Sequence, residues 1–317
     1  MTSESSVSSG RSGAQASLRA QSFRLGEKII IGSLFATAAL SVAVTTAIVF
    51  SLFIPLPEFF SIVPVGEFLT GTLWAPTFAN PSYGVLPIVA GTIQVVMYAM
   101  LVAVPLGLAS AIYLSEYASK AVRSTIKPIL EVLEGIPTVA TGLFALFWLR
   151  PFIEELTPWL PWQSPFSIGV AGVAVGFIII PLIASVSDDA MRSVPRSLRE
   201  GAYALGATKM RVALKVVLPA AISGVIAAFV LGASRAVGET MVVLLVAGGG
   251  NPQFVWGFTE ASAAMTAFIA SRATGEIATG TLDYYTIFAV GSLLFLMTLV
   301  MNAIAIRFVN RFREVYE

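Results

Sequence analysis

Histidine and cysteine are both absent from this 317-residue chain. Without imidazole or thiolate it lacks the usual zinc and haem ligands, and it lacks the side chain that most often moves protons near neutral pH. Disulfides and nucleophilic thiol chemistry go with cysteine, while the redox compartment stays open. Charge is scarce as well: Asp, Glu, Lys and Arg make up 12% of the residues, against about a quarter in an ordinary soluble domain. The few charges nearly cancel, leaving a net +1, so no broad field points to a nucleic-acid partner. No Gly-x-x-x-x-Gly-Lys-Ser/Thr occurs, so there is no P-loop, and any ATP used is bound by another subunit. Neither a metal, a cofactor nor a catalytic residue is expected. What the chain has in quantity is hydrocarbon, with 56% hydrophobic residues and a mean hydropathy of +0.85. That is the composition of a protein dissolved in a bilayer.

Ile29 to Pro57 carries no charge. It is long enough to cross roughly 30 Å of hydrocarbon and longer than the apolar part of a signal peptide, so it reads as a retained span. Charge-poor segments at 87–114, 132–149, 167–187, 220–246 and 284–306 follow, with Glu131 and Glu134 flanking the start of the third. The expected fold is all-α, a polytopic membrane protein with six transmembrane helices. A further uncharged stretch, 261–271, is too short to cross and is expected to be re-entrant or interfacial. Residues 1–24, rich in Ser, Gly and Ala, lack the apolar content to fold and read as a disordered cytoplasmic tail before a single membrane domain, 25–317.

With the N-terminus inside, all but three of the 19 basic residues fall on the cytoplasmic side, the exceptions being Arg150, Arg235 and Arg272. The positive-inside rule thus puts both termini in the cytoplasm and requires an even number of spans. Trp74, Trp148, Trp159, Trp162 and Trp256 then all lie on the outer side, as interface anchors. Pro105, Pro137 and Pro181 sit inside spans, where proline either breaks a helix that lines a cavity or is tolerated in a packed bundle.

The densest charge lies in a cytosolic loop at 188–218. Ser197-Leu-Arg-Glu200 has the pattern of a capping box, with Ser197 as N-cap of a helix over 198–205. Gly206 should end that helix in a left-handed turn, and Thr208 should cap a second one carrying Met210, Leu214 and Val217 on one face. Pro219 then stands at the head of span five. Asp188-Asp189 invites a metal-site reading, but adjacent side chains on a helix diverge by about 100° and chelate poorly.

Arg235 and Glu239 lie four residues apart inside the apolar run of span five, with Arg235 about 24 Å along a helix that starts at Pro219. A charge in such a run costs at least about 2.5 kcal/mol and is a functional candidate by default. On one helical face the two side chains can pair. As a structural device the pair fixes helix packing. As a functional one, the permanently charged fork of Arg235 meets an oxyanion in a pathway while Glu239 holds the fork in place. A carboxylate there also accepts a hydrogen bond from a protonated phosphate oxygen, which sulfate does not offer.

Glu200-Gly-Ala-Tyr-Ala-Leu-Gly206, nine residues and then Val-Val-Leu218-Pro219 resembles the EAA loop of ABC-importer permeases, with Gly201 replacing the first Ala and Val216 the usual Ile. Arg235-Ala-Val-Gly-Glu-Thr-Met-Val-Val, Glu134-Gly-Ile-Pro-Thr138 and Thr266-Ala-Phe-Ile-Ala270 resemble the phosphate-specific members, the PstC-type subunit more than its PstA-type partner. The resemblance covers about residues 25–310. It implies a type I ABC importer permease that moves inorganic phosphate across the cytoplasmic membrane by alternating access. It further implies a second homologous permease, two ATPase subunits inside and a phosphate-binding protein outside. By resemblance, Glu200, Gly201, Ala202, Gly206, Leu218 and Pro219 face the ATPase, and Arg235 and Glu239 line the pathway. An importer of the same fold for sulfate or molybdate is the alternative, which the physics of one arginine does not separate.

Overall fold

The structure, a computed structural model, describes residues 25–249, 253–275 and 277–311. The expected tail over 1–24 lies outside the described residues. The chain divides into two compact units, residues 1–50 and 51–317. The described part of the first unit is helical, within the helix Leu25–Phe53 that begins the fold.

Among the described residues, four helices are long and apolar enough to cross a membrane unbroken, and two bent pairs bring the number to six when each pair counts as one span. Spans two and four, Leu86–Ile112 and Ile168–Ser193, form the centre of the second unit. Val95, Ala99 and Ala103 of the one pack with Ala171, Val175 and Ile179 of the other in a buried cluster. Small residues at such a seam let the two backbones approach closely. Pro105 and Pro181 sit inside these unbroken helices and are tolerated by the packing.

Spans three and five are each bent, and Pro137 stands at one of the two breaks. Span three is Lys120–Glu134 followed by Thr138–Leu156, bent by 89° across Gly135-Ile136-Pro137. It therefore starts a dozen residues before the apolar run at 132. Pro137 has no N–H to continue a helical ladder and restricts the residue before it. Span five is Lys209–Ala220 followed by Ile222–Gly238, bent by 73°. Its first piece holds Ala-Leu-Lys-Val-Val-Leu-Pro219, and span three holds the parallel Ala-Leu-Phe-Trp-Leu-Arg-Pro151. In both, the residue before proline donates five residues back, Arg150 N–H to the Ala145 carbonyl and Leu218 N–H to the Ala213 carbonyl, making one wide helical turn. The same local sequence produces the same backbone because proline withholds the next donor.

A helix that leaves span five at Gly238 resumes as the short Met241–Val246, which packs on Thr138–Phe144 of span three. Residues 247–249 and 253–264 form no helix, a nine-residue helix, Met265–Ala273, has its first turn buried, and span six is Leu282–Arg311. The irregular stretch is held by its neighbours rather than by itself. Gln94, fully buried, donates from Nε2 to the Val255 carbonyl (3.1 Å) and accepts the Gly257 N–H (3.0 Å). Ser167 Oγ donates to the Phe258 carbonyl (2.6 Å), and the Met265 N–H bonds to Thr92 Oγ1 (2.9 Å). Gly91 is glycine because a Cβ there would fall 2.2 Å from the Ala263 carbonyl oxygen. Non-helical backbone inside a bundle survives only with partners of this kind.

Not all the tryptophans are interface anchors. Trp74 lies in a two-residue hairpin with Tyr83 and is buried against Phe68 and Phe268. Trp162 packs on the core, donates to the Thr157 carbonyl and lies under Arg150. Trp148, Trp159 and Trp256 are exposed. Burial and the Asp283 carboxylate push the Tyr83 phenol above its ordinary value, which keeps that core ring neutral.

Candidate functional site

The polar loop after span four is built as two short helices around a glycine. The first, Arg196–Ala204, has Pro195 as its N-cap and no side-chain cap. The capping box expected from Ser197 and Glu200 does not form. Pro195, extended at φ −55° and ψ 138°, starts the helix two residues early and leaves Ser197 inside its first turn. The other end is as expected. Gly206 has φ +77°, its N–H bonds to the Tyr203 carbonyl (2.9 Å), and the Ala207 N–H bonds to the Ala202 carbonyl (3.1 Å). This pair of bonds closes a helix with a left-handed residue. Thr208 Oγ1 accepts the Arg211 N–H and caps the second helix.

Ala202 and Leu218 pack on a buried cluster of Met191, Val194, Val212 and Val217. Glu200, Gly201 and Pro219 are exposed, and a Cβ on Gly201 would meet nothing. Of the expected apolar face only Val217 is buried. Met210 and Leu214 turn outward with Leu198, Tyr203 and Leu205, the last 91% exposed. The loop therefore presents a row of uncovered apolar side chains around Gly206.

Arg199 fastens this loop to the bundle. Its guanidinium donates to Glu116 Oε1 at the end of span two (3.1 and 3.2 Å), and to the carbonyls of Met191 (2.7 Å) and Val194 (2.6 Å) where span four ends. Lys209 Nζ also lies 5.0 Å from the centre of the Tyr117 ring. Asp188 and Asp189 fall within span four's last two turns, not in the loop, and they hold the first piece of span three. Asp188, fully buried, binds Arg123 (2.7 Å), and Asp189 pairs with Lys127 and, at 3.7 Å, with Arg123. Both carboxylates are thus in ion pairs, and among the described residues no cluster of three metal-ligating side chains occurs.

Arg235 and Glu239 do not pair. Helix Ile222–Gly238 ends before Glu239, which is extended at φ −68° and ψ 126°, so the four-residue helical spacing is lost. Arg235 lies about 20 Å along the helix from Ile222, shorter than the count from Pro219 because the bend intervenes. Its Nη1 binds Glu134 Oε1 at 2.6 Å and its Nη2 meets the Glu134 carbonyl at 3.3 Å. Glu134 is the last residue of the first piece of span three. Glu239 is buried instead, its Oε1 accepting the Val242 N–H (3.4 Å) at the start of the next short helix, while its carbonyl accepts from Thr266 Oγ1 (2.8 Å). Glu134 is legible from sequence at the edge of span three and in Glu134-Gly-Ile-Pro-Thr138, without its partner, whereas Glu116, Arg199 and Gln94 are not singled out. For Gln94 and Glu116 the available signal is a lone polar residue in, or at the edge of, an apolar run.

A bundle of bent spans with a structured polar loop defines a transporter's membrane component rather than an enzyme. The profile of the family described as binding-protein-dependent transport system inner membrane component matches residues 103–314. The probable ABC transporter permease protein YqgH of Bacillus subtilis is 33% identical over 288 residues, 90% of this chain and 91% of that protein. The phosphate transport system permease protein PstC of Pasteurella multocida is 35% identical over 257 residues, 75% of this chain and 78% of that one. Among solved structures, a subunit of the MetNI methionine ABC transporter in an inward-facing conformation superposes with a TM-score of 0.52 at 20% identity, covering 73% of this chain and 95% of that one. One from a bacterial ABC transporter involved in alginate import gives 0.54 at 14%, covering 87% and 100%. The chain belongs to the family of binding-protein-dependent transport system inner membrane components. It has the type I ABC importer permease fold, and as a multi-pass membrane subunit it works with an ATPase and a substrate-binding protein.

Proposed function

We propose that the chain is one permease subunit of an ATP-driven importer of inorganic phosphate, working by alternating access. The observation that carries an oxyanion as substrate is Arg235, a permanent cation deep in span five whose fork takes two oxygens of a tetrahedral anion. Relatives named as phosphate permeases, 32% and 35% identical over 257 residues, support phosphate among such anions. Arg235 is the pathway residue that touches phosphate. Glu239, bound to the Val242 N–H, lines the same pathway and keeps the break in span five open beside it.

A second homologous permease completes the pathway. The side chains of Arg235 and Glu134 are 31% and 33% exposed in the single chain. Charge facing hydrocarbon is costly, so this face is supported as one covered by protein or by a water-filled path. The permease pair binds two ATPase subunits, one of them on this loop, where Glu200, Gly201, Ala202 and Gly206 stand among the uncovered Leu198, Tyr203 and Leu205 and Leu218-Pro219 joins the loop to span five. An extracytoplasmic phosphate-binding protein delivers from the opposite side, and both termini are cytoplasmic.

The test is radiolabelled phosphate uptake in proteoliposomes holding this chain with its candidate partners. Wild type should import phosphate only with ATP. Arg235→Ala should lose import while the complex stays assembled and hydrolyses ATP. Import of sulfate or molybdate in place of phosphate would leave the fold and remove the substrate.

A further inference from the structure

Arg235 is not an empty receptor. Its guanidinium is already occupied by a carboxylate and by the carbonyl of the same residue, Glu134. That carbonyl belongs to the last turn of a 15-residue helix, where the backbone carries partial negative charge. The Glu134 side chain and the end of its helix therefore offer Arg235 two oxygens, as an oxyanion would. Glu239, the residue sequence spacing assigns to this role, points instead at Val242 and leaves the guanidinium free of a second carboxylate.

Resting on the reading of Arg235 as the phosphate-binding cation, we infer that Glu134 is an exchangeable resident anion that phosphate displaces. The pair has the features that exchange requires. Both side chains are about a third exposed, so the bond is not sealed in the core. Glu134 ends its helix beside Gly135, Ile136 and Pro137, where span three is already broken, so a rotation of its side chain disturbs no helical ladder. While the pathway is empty the carboxylate neutralises a charge that would otherwise stand alone in apolar surroundings. An arriving anion displaces the Glu134 side-chain oxygen from Nη1, while the Glu134 carbonyl stays beside Nη2. A tetrahedral oxyanion replaces that oxygen in kind, as a charged acceptor on the guanidinium. Glu134 thus sets anion affinity by competition.

Competition and simple positioning predict opposite signs. If Glu134 only orients Arg235, removing its charge weakens phosphate binding. If it competes, removal strengthens binding. The experiment is equilibrium binding of radiolabelled inorganic phosphate to the assembled permease–ATPase complex without the binding protein. Wild type is compared with Glu134→Gln, which keeps an acceptor oxygen and drops the charge. For a partly exposed ion pair the expected tightening is roughly three- to five-fold. Glu134→Asp, which draws the carboxylate back by one methylene, should tighten binding in the same direction and stands in if the Gln variant fails to assemble. Unchanged or weaker binding in the variant that assembles overturns the inference. Loss of binding in Arg235→Ala, with wild type importing phosphate, separates this result from the parent reading. If Arg235→Ala binds phosphate like wild type, both fall together.

Discussion

Replacing Arg199 by Ala should free the polar loop from the bundle while leaving the bundle folded. The side chain is 16% exposed and its partner Glu116 only 5%. Removing one member of a fully buried pair costs about 3–5 kcal/mol, because the other charge is left without compensation. Here Arg199 is partly exposed and Glu116 keeps the Ser115 hydroxyl at 3.2 Å, which brings the pair down to about 1 kcal/mol. The carbonyls of Met191 and Val194 each lose a donor, at about 1 kcal/mol apiece. The sum is about 3 kcal/mol of local stability, which corresponds to roughly a hundredfold change in the opening equilibrium. Hydrogen exchange on the assembled complex reads it directly. Peptides over 196–217 should exchange roughly a hundredfold faster in Arg199→Ala, with those over the buried seam of spans two and four unchanged. Arg199→Lys retains the charge but not the fork and should recover part of the protection. ATP hydrolysis should persist while uptake per ATP falls, since the loop no longer moves with spans two and four. Exchange within twofold of wild type over 196–217 would refute the assignment of Arg199 as the tie.

Two glycines in the loop should respond in opposite ways to the same methyl. Gly206→Ala forces a left-handed residue with a Cβ and should cost about 1 kcal/mol, whereas Gly201→Ala, with open space around it, should gain up to about 1 kcal/mol of helix propensity. Thermal melting of the purified complex should show shifts of opposite sign, and a matched shift would contradict the helix–turn–helix description. Gln94→Leu keeps the volume but strands the Val255 carbonyl and the Gly257 N–H, at about 1–3 kcal/mol each. Limited proteolysis should then cut within 253–264 in the variant and not in wild type. An uncut variant would mean that the segment is held by other bonds.

What could be read from sequence were features that depend on neighbours in the chain. The apolar runs located the spans, Gly206 ended a helix and Thr208 began one, because run length, a missing Cβ and a short hydroxyl act within a few residues. Local reasoning failed at Ser197, where a good N-cap pattern was overruled by Pro195 setting the helix start two residues earlier. It failed again at Glu239. The four-residue spacing to Arg235 implies contact only if the helix continues, and Gly238 ends it. The partner that Arg235 has, Glu134, lies 101 residues away, a separation that no periodicity reports. From sequence Glu134 is a charge at the edge of span three and the first residue of Glu134-Gly-Ile-Pro-Thr138, and neither feature names its partner. Arg123 and Asp188 are a similar case, each legible as a charge and neither as half of a pair.

These long-range pairs share a helix, and that gives the coupling a physical route. The first piece of span three, Lys120–Glu134, is gripped near its start by Asp188 and Asp189 of span four and at its end holds Arg235 of span five. From Arg123 to Glu134 is about 16 Å of continuous helix, with Pro128 inside it. Span four's last turns are tied in the same place to the loop through Arg199. Under the proposed function, a displacement of the loop by a docked partner should reach span four at Met191 and Val194, pass to span three at Arg123, and arrive at the Glu134–Arg235 contact. The bend of 89° after Glu134 separates this piece from Thr138–Phe144, which packs on Met241–Val246. Anion release should then depend on the position of the loop, provided the two states bind ATP with different affinity.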